Sequence, residues 1–254
     1  GIYVMKNIIF VPDENDLFIC DEKNFKHSGD LGDIIYSLPA MKYFGGGNLY
    51  LVENGLSSTK YDGSSSGLDS KKIDIIKPLL ETLSYIKNVE KFNFCKRDIN
   101  IDFDLFRYKG NDRKNLCEKI LETFKVPLWY ANEPWLQVAA KNKYPVVINR
   151  TKRYRNNNLD YRIILNKFKD AVFIGHAEEH ADFQNTFGDI PHVETPDLLD
   201  AAEIIAGSEL FIGNQSACLA VAVGLGVNIW QEYYPKHADC IFNRENCAYL
   251  YVGN

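Results

Sequence analysis

The sequence predicts an α/β protein built from two halves, and three observations carry that prediction. Short apolar runs alternate with helical patterns along most of the 254 residues. A stretch at 131–145 lacks periodicity and holds Pro134 and Pro145, so it separates the halves. The length suits two ordinary domains, and 46% hydrophobic with 25% charged residues is a globular composition.

In the first half, residues 7–11 form an apolar run that reads as a strand. Residues 30–43 read as a loop entering a helix, with Ile34, Ile35, Leu38 and Met41 at helical spacing. Gly45-Gly46-Gly47 stops that helix, and residues 48–53 follow as a strand, which completes the strand, helix, strand unit of a parallel sheet. Residues 54–72 are rich in Gly and Ser and are expected to form a mobile loop. A helical pattern returns at 73–86, short strands at 92–94 and 103–105, and a helix at 116–124. The first domain is therefore placed at 1–130, the linker at 131–145 and the second domain at 146–254. In the second, strands at 146–148, 171–174, 210–212, 227–229 and 248–252 alternate with helices at 159–168, 198–206 and 216–225, a doubly wound pattern.

Composition narrows the function classes. The longest apolar stretches fall short of the roughly 20 residues that span a bilayer, and the N-terminus lacks a signal-peptide pattern, so no membrane span and a cytoplasmic home are expected. Cys20, Cys95, Cys117, Cys218, Cys240 and Cys247 form no Cys-x-x-Cys pair, which points to reduced thiols rather than zinc or disulfides. A net charge of -5 argues against a general nucleic-acid binder, although residues 141–169 are locally basic. Richness in Asn, Lys, Ile and Tyr points to an AT-rich bacterial or phage genome.

In doubly wound sheets ligands lie beyond the carboxyl ends of the strands, at helix N-termini that favour negative charge. Three segments meet that description. In Gly29-Asp30-Leu31-Gly32-Asp33 the glycines permit close backbone approach and Asp33 falls in the first helical turn; alone, the motif is more often a turn and a cap. Ile148-Asn149-Arg150-Thr151-Lys152-Arg153-Tyr154-Arg155 is a polar and cationic burst directly after a strand, suited to a diphosphate through Arg150 and Lys152 or to a solvated loop. Gly213-Asn214-Gln215-Ser216 ends another strand and opens a helix of small residues, where backbone N–H groups and the Ser216 hydroxyl can hold phosphate, or simply cap the helix. Cys218 has no evident partner histidine and reads as a buried thiol.

Together these segments resemble glycosyltransferase family 9, the heptosyltransferase-like enzymes of the GT-B fold. The resemblance rests on Gly32-Asp33-Ile34-Ile35-Tyr36-Ser37-Leu38-Pro39-Ala40 and on the late strand, turn and helix at 211–226. It implies two Rossmann-like domains facing a central cleft, with an acceptor on the first and a nucleotide diphosphate sugar on the second. It implies Asp33 as the general base that takes a proton from an acceptor hydroxyl; His27 and Asp30 flank that loop, and from their positions either is a candidate to help Asp33 or replace it. Arg150 or Lys152 would neutralise the leaving diphosphate, with Gly29, Gly32, Asn149 and Thr151 also at the donor, and Gly213, Asn214, Gln215 and Ser216 would cradle it. The late motif departs from the family's Asp, small residues and His, with Cys218 at the position read for the His.

His176 and Glu179 follow a strand on the same edge and are expected near the base or sugar, and Glu232 near the ribose hydroxyls. His176 and His180 lack the His-Glu-x-x-His order of a zinc site, so no metal is expected, and no cofactor beyond the donor. The acceptor is a glycan, a small metabolite or a modified DNA base. The rival readings are a nucleotide-sugar epimerase or hydrolase, and a non-catalytic nucleotide-binding protein.

Overall fold

A computed structural model describes residues 23–53, 58–59, 65–93, 99–108 and 114–252, so the strand expected at 7–11 lies outside the described residues, as do Cys20 and Cys95. Lys23–His27 (β1) buries Phe25 and His27 at alternate positions and leads into Leu31–Tyr43 (α1). The triglycine that follows is a steric requirement. Gly46 has φ +76, and a Cβ there would lie 1.9 Å from the Tyr85 carbonyl oxygen; one at Gly47 would lie 2.1 Å from that of Lys23. Only bare backbone passes there into Gly47–Leu51 (β2). Ser58–Thr59 (β3) and Ser65–Ser66 (β4) form a short antiparallel pair within the stretch expected as a loop.

Two expectations in the first half are corrected. The helix Ser70–Glu81 (α2) stops short of Ile86, because the Thr82 hydroxyl donates to the Leu79 carbonyl at 2.7 Å and closes the last turn. Ile86 instead opens Ile86–Lys91 (β5), so that strand precedes the run expected at 92–94. The strand expected at 103–105 is Ile101–Asp102 (β6): the Asp102 carboxylate accepts the Asp104 amide at 3.0 Å and bends the chain into a 3-10 turn, Phe103–Tyr108, before Leu116–Thr123 (α3). The sheet is parallel in the order β5-β2-β1-β6.

The second half runs Val146–Asn149 (β7), Tyr161–Lys167 (α4), Val172–Phe173 (β8), Ala177–Phe187 (α5), Leu198–Ala206 (α6), Leu210–Gly213 (β9), Ala217–Leu225 (α7), Ile229–Glu232 (β10) and Cys247–Leu250 (β11). Its sheet is parallel, in the order β11-β10-β9-β7-β8. Helix α5 is missing from the periodicity reading because only Phe183 of its eleven residues is buried. In each sheet the chain winds outward in opposite directions from one pair of neighbours, β1 and β6 in the first and β7 and β9 in the second. Those are the topological switch points, where the loops part and leave a crevice.

The two sheets share one core. Helix α1 packs on α7 and α2 on α6, and the Tyr36 ring lies between Trp135 and Phe242, with centroids at 6.5 and 5.6 Å. The aperiodic stretch after residue 131 is docked there: Trp135 and Leu136 are buried, and both their amides donate to the Gly224 carbonyl, at 2.9 and 3.0 Å. No helix among the described residues is long and apolar enough to cross a membrane.

Gly224 lets that stretch reach α7, since a Cβ would lie 2.7 Å from Leu136 Cδ1 and 2.9 Å from Trp135 Nε1. Gly224→Ala is therefore expected to lower stability by roughly 1–3 kcal/mol through overpacking, despite the helix propensity of alanine. Urea unfolding checks this; a midpoint equal to or above that of the wild type contradicts it.

Candidate functional site

The loop after β1 is fixed by a fully buried imidazole. Gly29 N–H donates to His27 Nδ1 at 2.9 Å, which leaves the ring proton on Nε2, 2.8 Å from Ser37 Oγ; Ser37 Oγ in turn donates to the Asp33 carbonyl at 2.8 Å. His27 thus holds the loop onto α1 and does not face the cleft as a base. Asp30 caps α1, accepting Leu31 N–H at 2.9 Å, and its carboxylate also meets Lys72 at 3.0 Å and Arg153 at 3.8 Å. Asp33 faces the cleft from the first turn of α1, with its Oδ2 accepting from Arg107 Nη2 at 2.7 Å. Gly32 also lines the cleft, and nothing stands within 4 Å of where its Cβ would be, so its bareness leaves room rather than relieving a clash.

On the second sheet the basic burst after β7 divides by partner. Arg150 is buried and gives both Nε and Nη2 to Glu232, at 2.8 and 2.9 Å. Glu232 also accepts Asn156 N–H at 2.6 Å and the Tyr161 hydroxyl at 2.9 Å. Both residues expected at the donor are therefore internal, because a buried carboxylate needs a buried cation. Arg155 is held by Asp182 at 2.7 Å. Thr151, Lys152 and Arg153 do line the cleft.

The turn after β9 is a clip rather than an open cradle. Asn214 is fully buried; its Oδ1 accepts Thr151 N–H at 2.9 Å and its Nδ2 donates to the carbonyls of Thr151 and Arg153, at 3.2 and 2.6 Å. Gly213 permits β9 to approach β7, since a Cβ would lie 2.5 Å from the Asn149 carbonyl oxygen. Asn149 is buried beneath, donating to the Ile174 carbonyl at 2.8 Å. Gln215 and Ser216 reach the cleft, Ser216 as the N-cap of α7 that accepts Leu219 N–H at 3.1 Å. His176 and Glu179 line it at the start of α5, where Glu179 accepts His176 N–H at 3.2 Å and burial raises its pKa. His180 faces the Ile190 carbonyl at 2.8 Å and stacks on His192. Burial pushes the Cys218 thiol up to about 12, so it is no nucleophile at neutral pH.

These groups enclose one cleft of about 680 Å³. The N-termini of α1, α5 and α7 converge on it, and Lys72, Lys152 and Arg153 line it as cations. Among the described residues no three His, Cys, Asp or Glu side chains gather as a metal site. Tyr154, part of the burst but given no role of its own by sequence reasoning, lines the cleft at φ +53 with its ring against Tyr234 and His237. Sequence reasoning passed over Tyr36, Lys72 and Asp239; of these four residues only Tyr154 carried a signal, through the polar clustering of 151–155.

No protein-family model matches the chain, and no curated protein matches its sequence. Solved structures do. The E. coli heptosyltransferase WaaC bound to ADP-2-deoxy-2-fluoro heptose matches with a TM-score of 0.58 at 10% identity, covering 91% of this chain and 93% of WaaC. A family 9 glycosyl transferase from Veillonella parvula matches at 0.59 and 11% identity, over 90% and 85% of the two chains. The ADP-heptose heptosyltransferase II of E. coli gives 0.52 at 11% identity over 90% of each chain. The chain has the heptosyltransferase fold. The resemblance read from two short stretches of sequence thus extends, as a likeness of fold, over nearly the whole chain. Within this heptosyltransferase fold the cleft lies where the switch points of the two sheets face each other.

Two consequences can be measured. Burial lowers the pKa of His27 below its ordinary 6.5, against the pull of Asp104 and Asp33, so the unfolded chain takes the proton more readily than the folded one. The stability from the neutral ring is complete above pH 6.5 and is lost as pH falls below that value. Burial also opposes ionisation of Asp104, but the His27 ring and the Ser28 hydrogen bonds hold its pKa below 3.8, so its contribution is lost only in more acid solution. Between about pH 7 and about 5 the unfolding temperature of the wild type is expected to fall more steeply than that of His27→Gln; parallel curves count against a neutral buried His27. Separately, Glu232→Ala leaves a buried guanidinium unpaired and is expected to cost roughly 3–5 kcal/mol in chemical unfolding. A loss below about 1 kcal/mol, the range of an exposed pair, contradicts that.

Proposed function

We propose that the protein is a glycosyltransferase that moves a sugar from a nucleotide diphosphate sugar to an acceptor hydroxyl, with Asp33 as the general base. One observation carries the reading: Asp33 and the N-terminus of α7 line the same cleft, from opposite sheets, in a chain with the fold of ADP-heptose transferases. In this scheme residues 1–130 present the acceptor and residues 146–254 hold the donor. The acceptor oxygen attacks the anomeric carbon and gives its proton to Asp33, while the bond from that carbon to the diphosphate oxygen breaks. The electron pair leaves with the diphosphate, whose charge is met by Lys152, Arg153 and the amides at the start of α7. His176 and Glu179, at the start of α5, face the nucleoside. A general base removed by an isosteric change leaves the binding groups in place.

Release of nucleoside diphosphate from ADP-heptose, UDP-glucose and GDP-mannose, with water or a hydroxyl acceptor, tests this. Asp33→Asn is expected to lower turnover of the accepted donor roughly 10²–10⁴-fold and to leave the calorimetric affinity for that donor within about twofold. Undiminished turnover in this variant would falsify the role of Asp33. Tight donor binding without turnover in the wild type favours a binding protein instead.

A further inference from the structure

We propose that Arg107 is the positioning residue of Asp33, and that Gly29 exists to let it reach that carboxylate; this rests on the reading of Asp33 as the base. Residues 103–108 form a 3-10 turn at the β1/β6 switch point. With three residues per turn, positions three apart fall on one face, so Asp104 and Arg107 point the same way. Asp104 accepts the Ser28 amide at 3.1 Å and the Ser28 hydroxyl at 2.6 Å; Arg107 Nη2 donates to Asp33 Oδ2 at 2.7 Å. One turn thereby grips the catalytic loop at both ends.

Gly29 lies between the two grips. A Cβ on it would stand 2.6 Å from Arg107 Nη2, 2.7 Å from His27 Cε1 and 2.8 Å from Asp33 Cβ. A side chain there crowds the guanidinium, the buried His27 ring and Asp33 itself at once, so the contact of Arg107 with Asp33 needs this position bare although it has no positive φ to require glycine. The Arg107 side chain is 33% exposed and that of Asp33 22%, and such pairs contribute little to folding. The arrangement is therefore better explained by geometry than by stability. Asp33 lines the cleft and Arg107 does not, so the guanidinium, backed by the Phe106 ring at 4.7 Å, holds Oδ2 from behind. Oδ1 is left to take the acceptor proton, while every proton of Arg107 stays in place. An unheld carboxylate spends much of its time in other rotamers, and misplacing a base by about 1 Å costs about 10²-fold.

The test uses the nucleotide sugar turned over fastest in the panel above, with Arg107→Gln, Arg107→Lys and Gly29→Ala made singly and Arg107→Gln also made on Asp33→Asn. Arg107→Gln is expected to lower kcat roughly 10–100-fold with donor affinity and unfolding temperature close to wild type. Arg107→Lys should recover part of the loss, and Gly29→Ala should reproduce it with Arg107 intact. On Asp33→Asn, Arg107→Gln should cost nothing more, because the group it positions is already gone. Wild-type kcat in Arg107→Gln, or the same further loss on both backgrounds, overturns the inference and leaves the base in place. Wild-type kcat in Asp33→Asn overturns the base reading itself, and Arg107 with it.

Discussion

The wall of the cleft built after β7 and β9 depends on one buried carboxylate. Glu232 ends β10 and Arg150 follows β7, and β9 lies between those strands, so their ion pair arches across the end of β9 beneath the turn that opens α7. Removing both charges from water is costly and is offset only when every lone pair and proton is used. Here the carboxylate is fully used, because besides the Arg150 Nε and Nη2 donors it also takes the Asn156 amide and the Tyr161 hydroxyl. The chain from 150 to 156 is thus tied at both ends to one group, and Asn214 ties its middle. A loop so held can keep Tyr154 at a positive φ, which a free tyrosine avoids.

This anchoring decides which cations reach a ligand. Four basic residues follow one another closely after β7, and composition alone gives them equal claims on a phosphate. The interior takes Arg150, and Asp182 takes Arg155. Among the described residues the ionic partner of Lys152 is exposed, Glu178 at 3.8 Å, and Arg153 reaches across the cleft to Asp30 at 3.8 Å. Long, exposed contacts of this kind are worth well under the charge-assisted bonds a diphosphate offers. An incoming anion therefore competes for Lys152 and Arg153 on favourable terms, whereas drawing Arg150 away leaves Glu232 charged and buried.

What the sequence made legible follows the range of each signal. Strand ends, glycine stops and the apolar face of α1 are local patterns, and they located Asp33, the burst after β7 and the turn after β9. Partners distant in the chain leave no local mark: Arg150 and Glu232 are 82 positions apart, and Asp33 and Arg107 are 74. Strand β1 was missed because its five residues, two of them Lys, bury only Phe25 and His27, too little alternation to register. The 3-10 turn was read as a strand because Phe103 and Leu105 alternate about a carboxylate, and the bend depends on the Asp102 side chain folding back onto its own backbone.

The same reasoning accounts for the residue that opens the turn after β9. At position 214 the sequence places an amide, Asn214, rather than a carboxylate. A carboxylate accepts hydrogen bonds and donates none, so an Asp there could take the Thr151 amide but would face the carbonyls of Thr151 and Arg153 with nothing to give. Asn gives to both carbonyls and takes the amide, which fastens the loop after β7 to the end of β9. The turn after β9 is thus a neutral clip that positions the cationic loop. Beside it, Gln215 and Ser216 still line the cleft. The clip acts on the wall formed after β7 and β9, while the placement of Asp33 on the opposite wall is untouched by it.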